Sequence, residues 1–369
     1  MIGGGEGAFI GGVHRMAARL DGRYQLVAGV FSSDAEKTRR SAGALGVDVA
    51  RAYPSVEAMI TAEAKRADGV EVVSVVTPNH MHYPQSAALL EAGIDVICDK
   101  PLTTNLADAE KLVQLAATRN RLLGVTFNYT GYPMVRHAKQ LVADGAIGAL
   151  RVVQVEYPQG WLATALEKTG QKQASWRTDP KQAGAGALGD IGSHAFQLAE
   201  FVTGGQVAEV AADVSALVPG RVIDDNVNVL LRFADGARGS LWACQVAIGR
   251  LNSHRLRVYG ETGSIEWFQE HPEELLVVEA GSAPCHVRRG DPGTPTSSVG
   301  LPGGHPEGFI EAFSQLYADF AERVTARLEA RSPKAASLFA PDAVTGTRVM
   351  AFIEAVLKSG KANSAWTKI

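Results

Sequence analysis

The sequence predicts an α/β protein of two domains: a doubly wound parallel sheet over residues 1–128, then an α+β domain with an open, mostly antiparallel sheet over 129–369. Three observations carry that prediction. Short, nearly continuous apolar runs alternate with Ala-rich stretches of helical periodicity as far as Asn128. A glycine-rich stretch opens the chain ahead of that alternation. Beyond Leu150, strand-like segments follow one another without helices between them.

Taken in order, the expected strands of the first domain are 24–31, 70–77, 94–98 and 122–127. Their unbroken apolar character fits strands covered on both faces by helices. Helices are expected at 13–20, 34–45, 55–65, 82–92 and 105–118, with Gly93 as a stop signal after one of them. In the second domain the expected strands are 150–157, 207–217, 225–233, 239–248, 254–260 and 264–268, with Ala234-Asp235-Gly236 as a hairpin turn. The Gly- and Pro-rich segment 281–304 reads as a surface excursion or lid. The stripe Phe309, Phe313, Leu316, Phe320, Val324 and Leu328 reads as the core face of a helix.

Composition narrows the function. Lys+Arg number 36 against 39 Asp+Glu, a net charge of −3 without long runs of one sign, which argues against a nucleic-acid partner. The three cysteines are too scattered for a disulfide framework or a paired-cysteine zinc site. No apolar run reaches the roughly 18–20 residues of a membrane span, and the N-terminus lacks the pattern of a signal peptide. A cytoplasmic protein acting on a small molecule, without a membrane partner, is the expectation. Only Met1 and Ile2 precede the glycines, where a first strand supplies about five residues, which points to a piece of chain ahead of Met1.

The opening loop holds Gly3, Gly4, Gly5, Gly7, Gly11 and Gly12, with the expected helix opening at Val13. Glycines let a backbone approach a pyrophosphate, and a helix N-terminus behind them offers free N–H groups and partial positive charge. Gly3-x-Gly5 fits the dinucleotide pattern, while Gly11 arrives late and implies a longer loop. The acid that would bond a ribose at the end of the second strand has no clear occupant. Ser32 stands at the expected position, Asp34 lies beyond it, and Lys37, Arg39 and Arg40 are placed to meet a 2′-phosphate, so NAD and NADP both stay open.

Two polar clusters follow predicted strands: Thr77-Pro78-Asn79-His80-Met81-His82, and Asp99-Lys100-Pro101. The carboxyl ends of parallel strands are where open α/β sheets bind ligands. Further on, Asp190 and His194 are four apart ahead of an apolar helical pattern, so that both address one face. Trp176-Arg177 combines an aromatic face with a guanidinium, a pairing suited to a sugar ring or a cofactor. Metal catalysis through His80, His82, Cys98, Asp190 and His194 lacks an accompanying acidic cluster, so no metal is expected.

The Thr-Pro-Asn-x-x-His stretch, the Asp99-Lys100-Pro101 triplet and the Gly189-Asp190-Ile191-Gly192-x-His194 stretch, in this order, resemble the Gfo/Idh/MocA family of oxidoreductases. The likeness runs over nearly the whole chain. The sequence departs from the family pattern in Asp99, where Glu is usual, and in its longer glycine loop. The resemblance implies a Rossmann-type first domain and an NAD cofactor, with NADP as the alternative. It also implies a homo-oligomer, dimer or tetramer, built on the outer face of the second sheet. Lys100 matches the lysine that polarises the reacting hydroxyl, His194 the acid/base that takes its proton, and Asp190 the residue that holds neighbouring hydroxyls.

On the cofactor side the resemblance implicates Gly3, Gly5, Gly7, Phe9 and Ile10 in the loop, and Ser32, Ser33 and Lys37 after the second strand. Thr77, Asn79, His82, Asp99, Lys100 and Asn128 follow at the sheet edge, with Trp176 and Arg177 from the second domain. On the substrate side it implicates Lys100, Asp190 and His194; Tyr157, Arg177 and His305 are further candidates, with His305, between glycines and a proline, equally suited to a helix-capping loop. The expected reaction moves a hydride between a secondary hydroxyl of a cyclic polyol or sugar, an inositol or monosaccharide, and the nicotinamide. A dehydrogenase of a glycoside ring hydroxyl and a keto-sugar reductase are the nearest alternatives. A non-catalytic NAD(P)-sensing regulator is the alternative of another class, and it needs none of Lys100, Asp190 and His194.

Overall fold

The computed structural model describes residues 1–369, which form two compact units. The first comprises Met1–Asn128 together with Phe309–Thr347, and the second Tyr129–Gly308 with Arg348–Ile369. No helix is long and apolar enough to cross a membrane.

The first unit begins with β1 (Ile2–Gly3), α1 (Phe9–Leu20), α2 (Ala35–Ala44) and α3 (Val56–Glu63). It continues through β2 (Val72–Val76), α4 (His82–Glu91), β3 (Asp95–Cys98), α5 (Leu106–Arg119) and β4 (Leu123–Val125). The strands pair in parallel in the order β1-β2-β3-β4. Segment 24–31, expected as a full strand, contributes only single bridges at Gly29 and Val30. Its hydrogen-bonding neighbours are short: Val30 exchanges bonds with Met1 and Gly3, and Gly29 with Arg51 and Tyr53. The first helix starts at Phe9 rather than Val13, which places Gly11 and Gly12 inside it. Side-chain caps start three of the others: Asp34 for α2, Ser55 for α3 and Asn105 for α5. Gly93 follows α4 with φ of 78°, the conformation for which a helix stop needs glycine.

The second unit opens with α6 (Pro133–Ala143), β5 (Leu150–Pro158), α7 (Lys172–Arg177), α8 (Pro180–Ala183) and α9 (Ser193–Thr203). Then come β6 (Val207–Ser215), β7 (Asn226–Phe233), β8 (Arg238–Cys244), β9 (Arg255–Gly260), β10 (Gly263–Phe268), β11 (Glu274–Glu279) and β12 (Cys285–Arg288). All its neighbouring strands pair antiparallel except β5 with β8, which are parallel. The β7–β8 hairpin turns at Asp235-Gly236, as expected, with Gly236 at φ 97°. Strand alternation leaves Val153, Val155, Val227, Val229 and Leu231 on the buried face and Val152, Gln154, Asn228 and Leu230 on the exposed one.

The excursion expected over 281–304 includes a strand at its start, because β12 pairs with β11. Its remainder is pinned by the buried Arg289, which donates to the carbonyls of Leu301 at 2.7 Å and His305 at 2.5 Å and to Glu273 at 2.6 Å.

The chain then forms α10 (Phe309–Leu328), α11 (Ala343–Lys361) and β13 (Thr367–Lys368), which joins β6 at the sheet edge. The sequence assigned everything after residue 128 to the second domain, yet α10 belongs to the first unit. Its Phe313, Tyr317, Phe320 and Val324 pack with Val13 and Ala17 of α1 and Ile97 of β3. Arg327 adds an ion pair to the buried Asp95 of β3, 2.5 Å. Leu328, expected on the core stripe, is 66% exposed because it falls in the last turn, beyond that contact. The unit boundary falls inside α11, whose later residues return to the second unit: Phe352 stacks on Phe196 at 4.0 Å, and Ser359 Oγ accepts the Ala212 N–H at 2.9 Å.

Local sequence does not hold α10 in place; the apolar contact with α1 and β3 does. Phe320→Ala is expected to lower the unfolding free energy by about 3–5 kcal/mol, measured by urea denaturation. A loss under about 1 kcal/mol would show that the α10 contact is dispensable.

Candidate active site

The glycine loop of the first unit is built for close approach. Gly3, Gly4 and Gly7 have φ near +75° (80°, 73° and 75°), and a Cβ on Gly11 would lie 2.2 Å from the Gly4 Cα. A Cβ on Gly5 would sit 2.6 Å from the Phe31 carbonyl oxygen. Gly4 and Gly11, both read from the sequence as loop glycines, pack directly against each other. Phe9 and Ile10 open α1, whose N-terminus has no side-chain cap and no acidic residue in its first turn. These N–H groups, with the glycine cradle beside them, fit a dinucleotide pyrophosphate. Ser32 exchanges hydrogen bonds with Thr38, and Asp34 caps α2 through Lys37 N at 2.7 Å, while Ser33 is exposed.

The carboxyl ends of β2 and β3 carry the next group. His82 is buried with both ring nitrogens at backbone carbonyls, Nδ1 2.8 Å from Pro101 O and Nε2 2.8 Å from Thr77 O. Burial lowers its pKa, so the neutral ring donates from one nitrogen at a time while lying between the two strand ends. Thr77 Oγ1 donates to Gln85, and Asn79 and Asn128 are buried nearby in sequence terms at the ends of β2 and β4. Asp99 Oδ1 accepts the Lys100 N–H at 2.9 Å and the Thr126 hydroxyl at 2.9 Å, and lies 3.9 Å from His14 Nε2. Burial works against the Asp99 charge, but His14, Lys100 and His82 outweigh it and hold the carboxyl well below its ordinary range. The Lys100–Pro101 peptide is cis.

In the second unit, Leu188–Gly192 form a wide, π-helical turn that runs directly into α9. Asp190 lies in that turn and His194 at the second position of α9. Such turns are rare and often mark functional sites. Asp190 Oδ2 is 3.4 Å from Arg177 Nε and accepts from Gln245 Nε2 at 2.8 Å. The Arg177 guanidinium lies over the Trp176 ring, 4.3 Å from its centroid. His194 meets the Tyr129 ring edge-on at 4.9 Å. Tyr129 and Tyr157 share a short hydroxyl hydrogen bond, and the Tyr157 hydroxyl donates to Asn252 Oδ1 at 2.6 Å. Burial pushes both phenols up, Tyr129 to about 12. His305 stands exposed, its Nδ1 3.2 Å from the Pro302 carbonyl.

Within the second unit the fold thus unites Arg177, Asp190 and His194, and it places Tyr157 in the aromatic group beside His194. Sequence reading missed His14, Tyr129, Gln245, Asn252 and His254. The available signal for Gln245 was a lone polar residue inside the apolar run around β8; for His254 there was none, because its partners come from other strands. No three His, Cys, Asp or Glu side chains within either unit converge as metal ligands.

Residues 1–127 match the model of an oxidoreductase family with an NAD-binding Rossmann fold, and residues 135–266 match the GFO/IDH/MocA C-terminal domain. The chain belongs to the Gfo/Idh/MocA family. It is an oxidoreductase whose first domain binds NAD. An uncharacterized oxidoreductase of Bacillus subtilis (strain 168), YfiI, is 34% identical, with 100% of this chain and 95% of that protein covered. A crystal structure of an inositol dehydrogenase homolog from Azotobacter vinelandii complexed with NAD+ has a TM-score of 0.93 at 34% identity, covering 100% of this chain and 96% of that one. A structure of a levoglucosan dehydrogenase with NADH and levoglucosan has a TM-score of 0.85 at 27% identity, covering 100% and 97%.

One member of the aromatic group makes a pH signature. His254 is fully buried, stacked on Tyr157 at 4.5 Å, and burial pulls its imidazole down to about 3. In the unfolded chain a histidine binds a proton near pH 6.5, so this group's stabilisation is complete above that pH and declines as pH falls toward 3. Between pH 7 and pH 5 its contribution should fall by about 2 kcal/mol. His254→Phe is expected to remove that part of the acid dependence in urea unfolding; parallel pH curves for variant and wild type would refute it.

Proposed function

We propose that this oxidoreductase is an NAD-dependent dehydrogenase of cyclic polyols or sugars, an inositol or a monosaccharide, that oxidises one secondary hydroxyl. The observation that carries the reading is Asp190, held between a guanidinium and a carboxamide in the turn that leads into His194. A fixed carboxylate beside a fixed guanidinium offers acceptor and donor positions to adjacent hydroxyls. The Azotobacter vinelandii relative with NADH and myo-inositol, TM-score 0.92, supports the polyol class.

When bound, NAD would supply the hydride acceptor for the carbinol carbon. His194 removes the hydroxyl proton as general base. The Lys100 ammonium donates to the hydroxyl oxygen and stabilises the charge that develops on it. Asp190 and Arg177 hold neighbouring hydroxyls and exclude other orientations. The glycine loop from Gly3 to Gly7 and the α1 N-terminus bind the pyrophosphate, with Asn79, Asp99 and Asn128 shaping the sheet edge. The domain roles follow: nucleotide binding by the first unit, substrate binding by the second.

The levoglucosan dehydrogenase relative favours a second reading, oxidation of a ring hydroxyl of a glycoside. Turnover of the purified protein with NAD and NADP against inositols, aldoses and simple glycosides separates the two, and absence of turnover with retained NADH binding would favour the sensing regulator. Lys100→Ala and His194→Ala are each expected to lower kcat by ~10²-fold or more, with NADH binding left intact in His194→Ala. A near-normal rate in either removes that residue from the mechanism.

We also propose a homo-oligomer, dimer or tetramer, assembled on the exposed sheet face. That face shows Val152, Leu230 and Tyr259 at 39%, 57% and 39% exposure. It holds a groove of about 530 Å³ between Trp242, Arg257 and Trp366. Leu230→Glu is expected to shift the species seen in sedimentation velocity toward monomer; a wild-type protein that is already monomeric overturns the proposal.

A further inference from the structure

Gln245 follows the last residue of β8 and is 2% exposed. Its backbone is held on both sides: its N–H donates to Asp225 O at 2.8 Å, and its carbonyl accepts from Leu162 N at 3.0 Å. Only the side chain is left to choose a direction, and its Nε2 donates to Asp190 Oδ2.

The residues behind it form a continuous polar frame. Asp225 Oδ2 accepts from Arg221 Nη1 at 3.1 Å, and Asp225 also accepts from the N–H groups of Leu217 and Val218. The Arg221 side chain, 1% exposed, donates to the carbonyls of Leu162 at 2.9 Å and Thr164 at 3.0 Å and to Glu167 at 2.9 Å. The neighbouring Asp224 holds the backbone that leads to Asp190, accepting from Gly186 N at 2.8 Å and Leu188 N at 2.7 Å through its carboxylate. Gly186 is obligatory there, since a Cβ would lie 1.9 Å from the Asp224 carbonyl oxygen.

The backbone of Asp190 is therefore fixed by Asp224, but its carboxylate plane is not, because the terminal torsion of an aspartate is broad. Arg177 alone, on a short helix of a long loop, would draw the carboxylate toward the loop. Gln245 supplies the opposing donor from the sheet. We infer that Gln245 is a positioning residue that sets the carboxylate plane of Asp190, and that the Arg221–Asp225–Gln245 frame ties the 162–167 loop to that carboxylate. The inference rests on the proposed role of Asp190 in holding substrate hydroxyls.

A neutral donor at this position is essential to the idea, and that makes it testable. In Gln245→Glu an ionised carboxylate would face Asp190 and repel it, whereas the protonated acid donates an O–H as the amide donates its N–H. Burial beside a second carboxylate raises the acid's pKa, so the donor returns as pH falls from 8 toward 6. The other titratable groups against the pair are Arg177, 3.4 Å from Asp190, and the phenols of Tyr129 and Tyr157, which burial and the Asp190 charge push up; His194 follows one turn on, and the Asp225 carboxylate is held by Arg221 behind the Gln245 backbone. All are present in the wild type, so the variant-to-wild-type ratio at each pH isolates residue 245.

The experiment measures kcat and KM of the full-length protein with NAD across this pH range, on whichever of myo-inositol, glucose and levoglucosan the wild type oxidises fastest. Gln245→Leu, Gln245→Glu and Asp190→Asn are compared, with NADH affinity and the change in NADH fluorescence on adding myo-inositol as readouts independent of turnover. Gln245→Leu is expected to lose about 10- to 100-fold in kcat/KM, the range for a hydrogen bond to a charged group, with NADH affinity unchanged. The Gln245→Glu to wild-type ratio should rise at least tenfold from pH 8 to pH 6. A ratio that stays flat with pH, or both Gln245 variants within twofold of wild type while Asp190→Asn is impaired, overturns the inference alone. Asp190→Asn within twofold of wild type overturns the reading of Asp190 and the inference with it.

Discussion

An ionised carboxylate inside a protein must be surrounded by donors, and much of the first unit is arranged to surround Asp99. Two donors come from elements far apart in the chain, the backbone after β3 and the Thr126 hydroxyl after β4, and the His14 ring on α1 stands 3.9 Å away. His14 is oriented by the Tyr317 hydroxyl at 2.8 Å, which also meets Ser74 of β2 at 2.8 Å. One polar chain thus connects the helix behind the glycine loop, the sheet edge next to Lys100, and the returning helix α10. This explains why a segment of more than thirty residues from the end of the chain belongs with the nucleotide-binding fold.

The second unit solves a related problem with two adjacent acids. Asp224 and Asp225 are both nearly buried, and each accepts from backbone amides. Asp224 holds the turn that carries Asp190, and Asp225 holds Arg221, which grips the loop from Leu162 to Glu167. Their side chains act through backbone geometry and lie apart from the proposed chemistry. The wide turn at Leu188–Gly192 is held by these bonds and by the absence of a Cβ at Gly186. The aromatic group of Tyr129, Tyr157 and His254 then backs His194 with an apolar, hydrogen-bonded wall.

The fold was largely legible because its signals are local. Buried parallel strands show as apolar runs, helices as 3.6-residue periodicity, and the β7–β8 turn as Asp235-Gly236. The errors came where pairing is decided at a distance. Segment 24–31 has strand character in sequence, yet it forms only isolated bridges, at Gly29 and Val30. Strand β12 was hidden in a Gly- and Pro-rich stretch because its partner β11, not its composition, makes it a strand. Helix α10 was rightly read as amphipathic and wrongly assigned to a domain, since periodicity says which face is apolar and nothing about what covers it.

The candidate site divides along the same line. The sequence by itself determined the two-domain α/β class, the glycine loop, the Asp99-Lys100-Pro101 triplet and the spacing of Asp190 and His194, because these are runs of neighbouring residues whose chemistry is visible in order. It also determined the family, since those motifs occur in a set order along the chain. Only the tertiary structure decided that the His82 ring lies between two backbone carbonyls, that Gly4 and Gly11 pack against each other, and that Gln245 faces Asp190 across 55 residues of sequence. Hydrogen bonds to buried side chains are satisfied by whichever atom the packed core brings within about 3 Å, and sequence order holds no record of that distance.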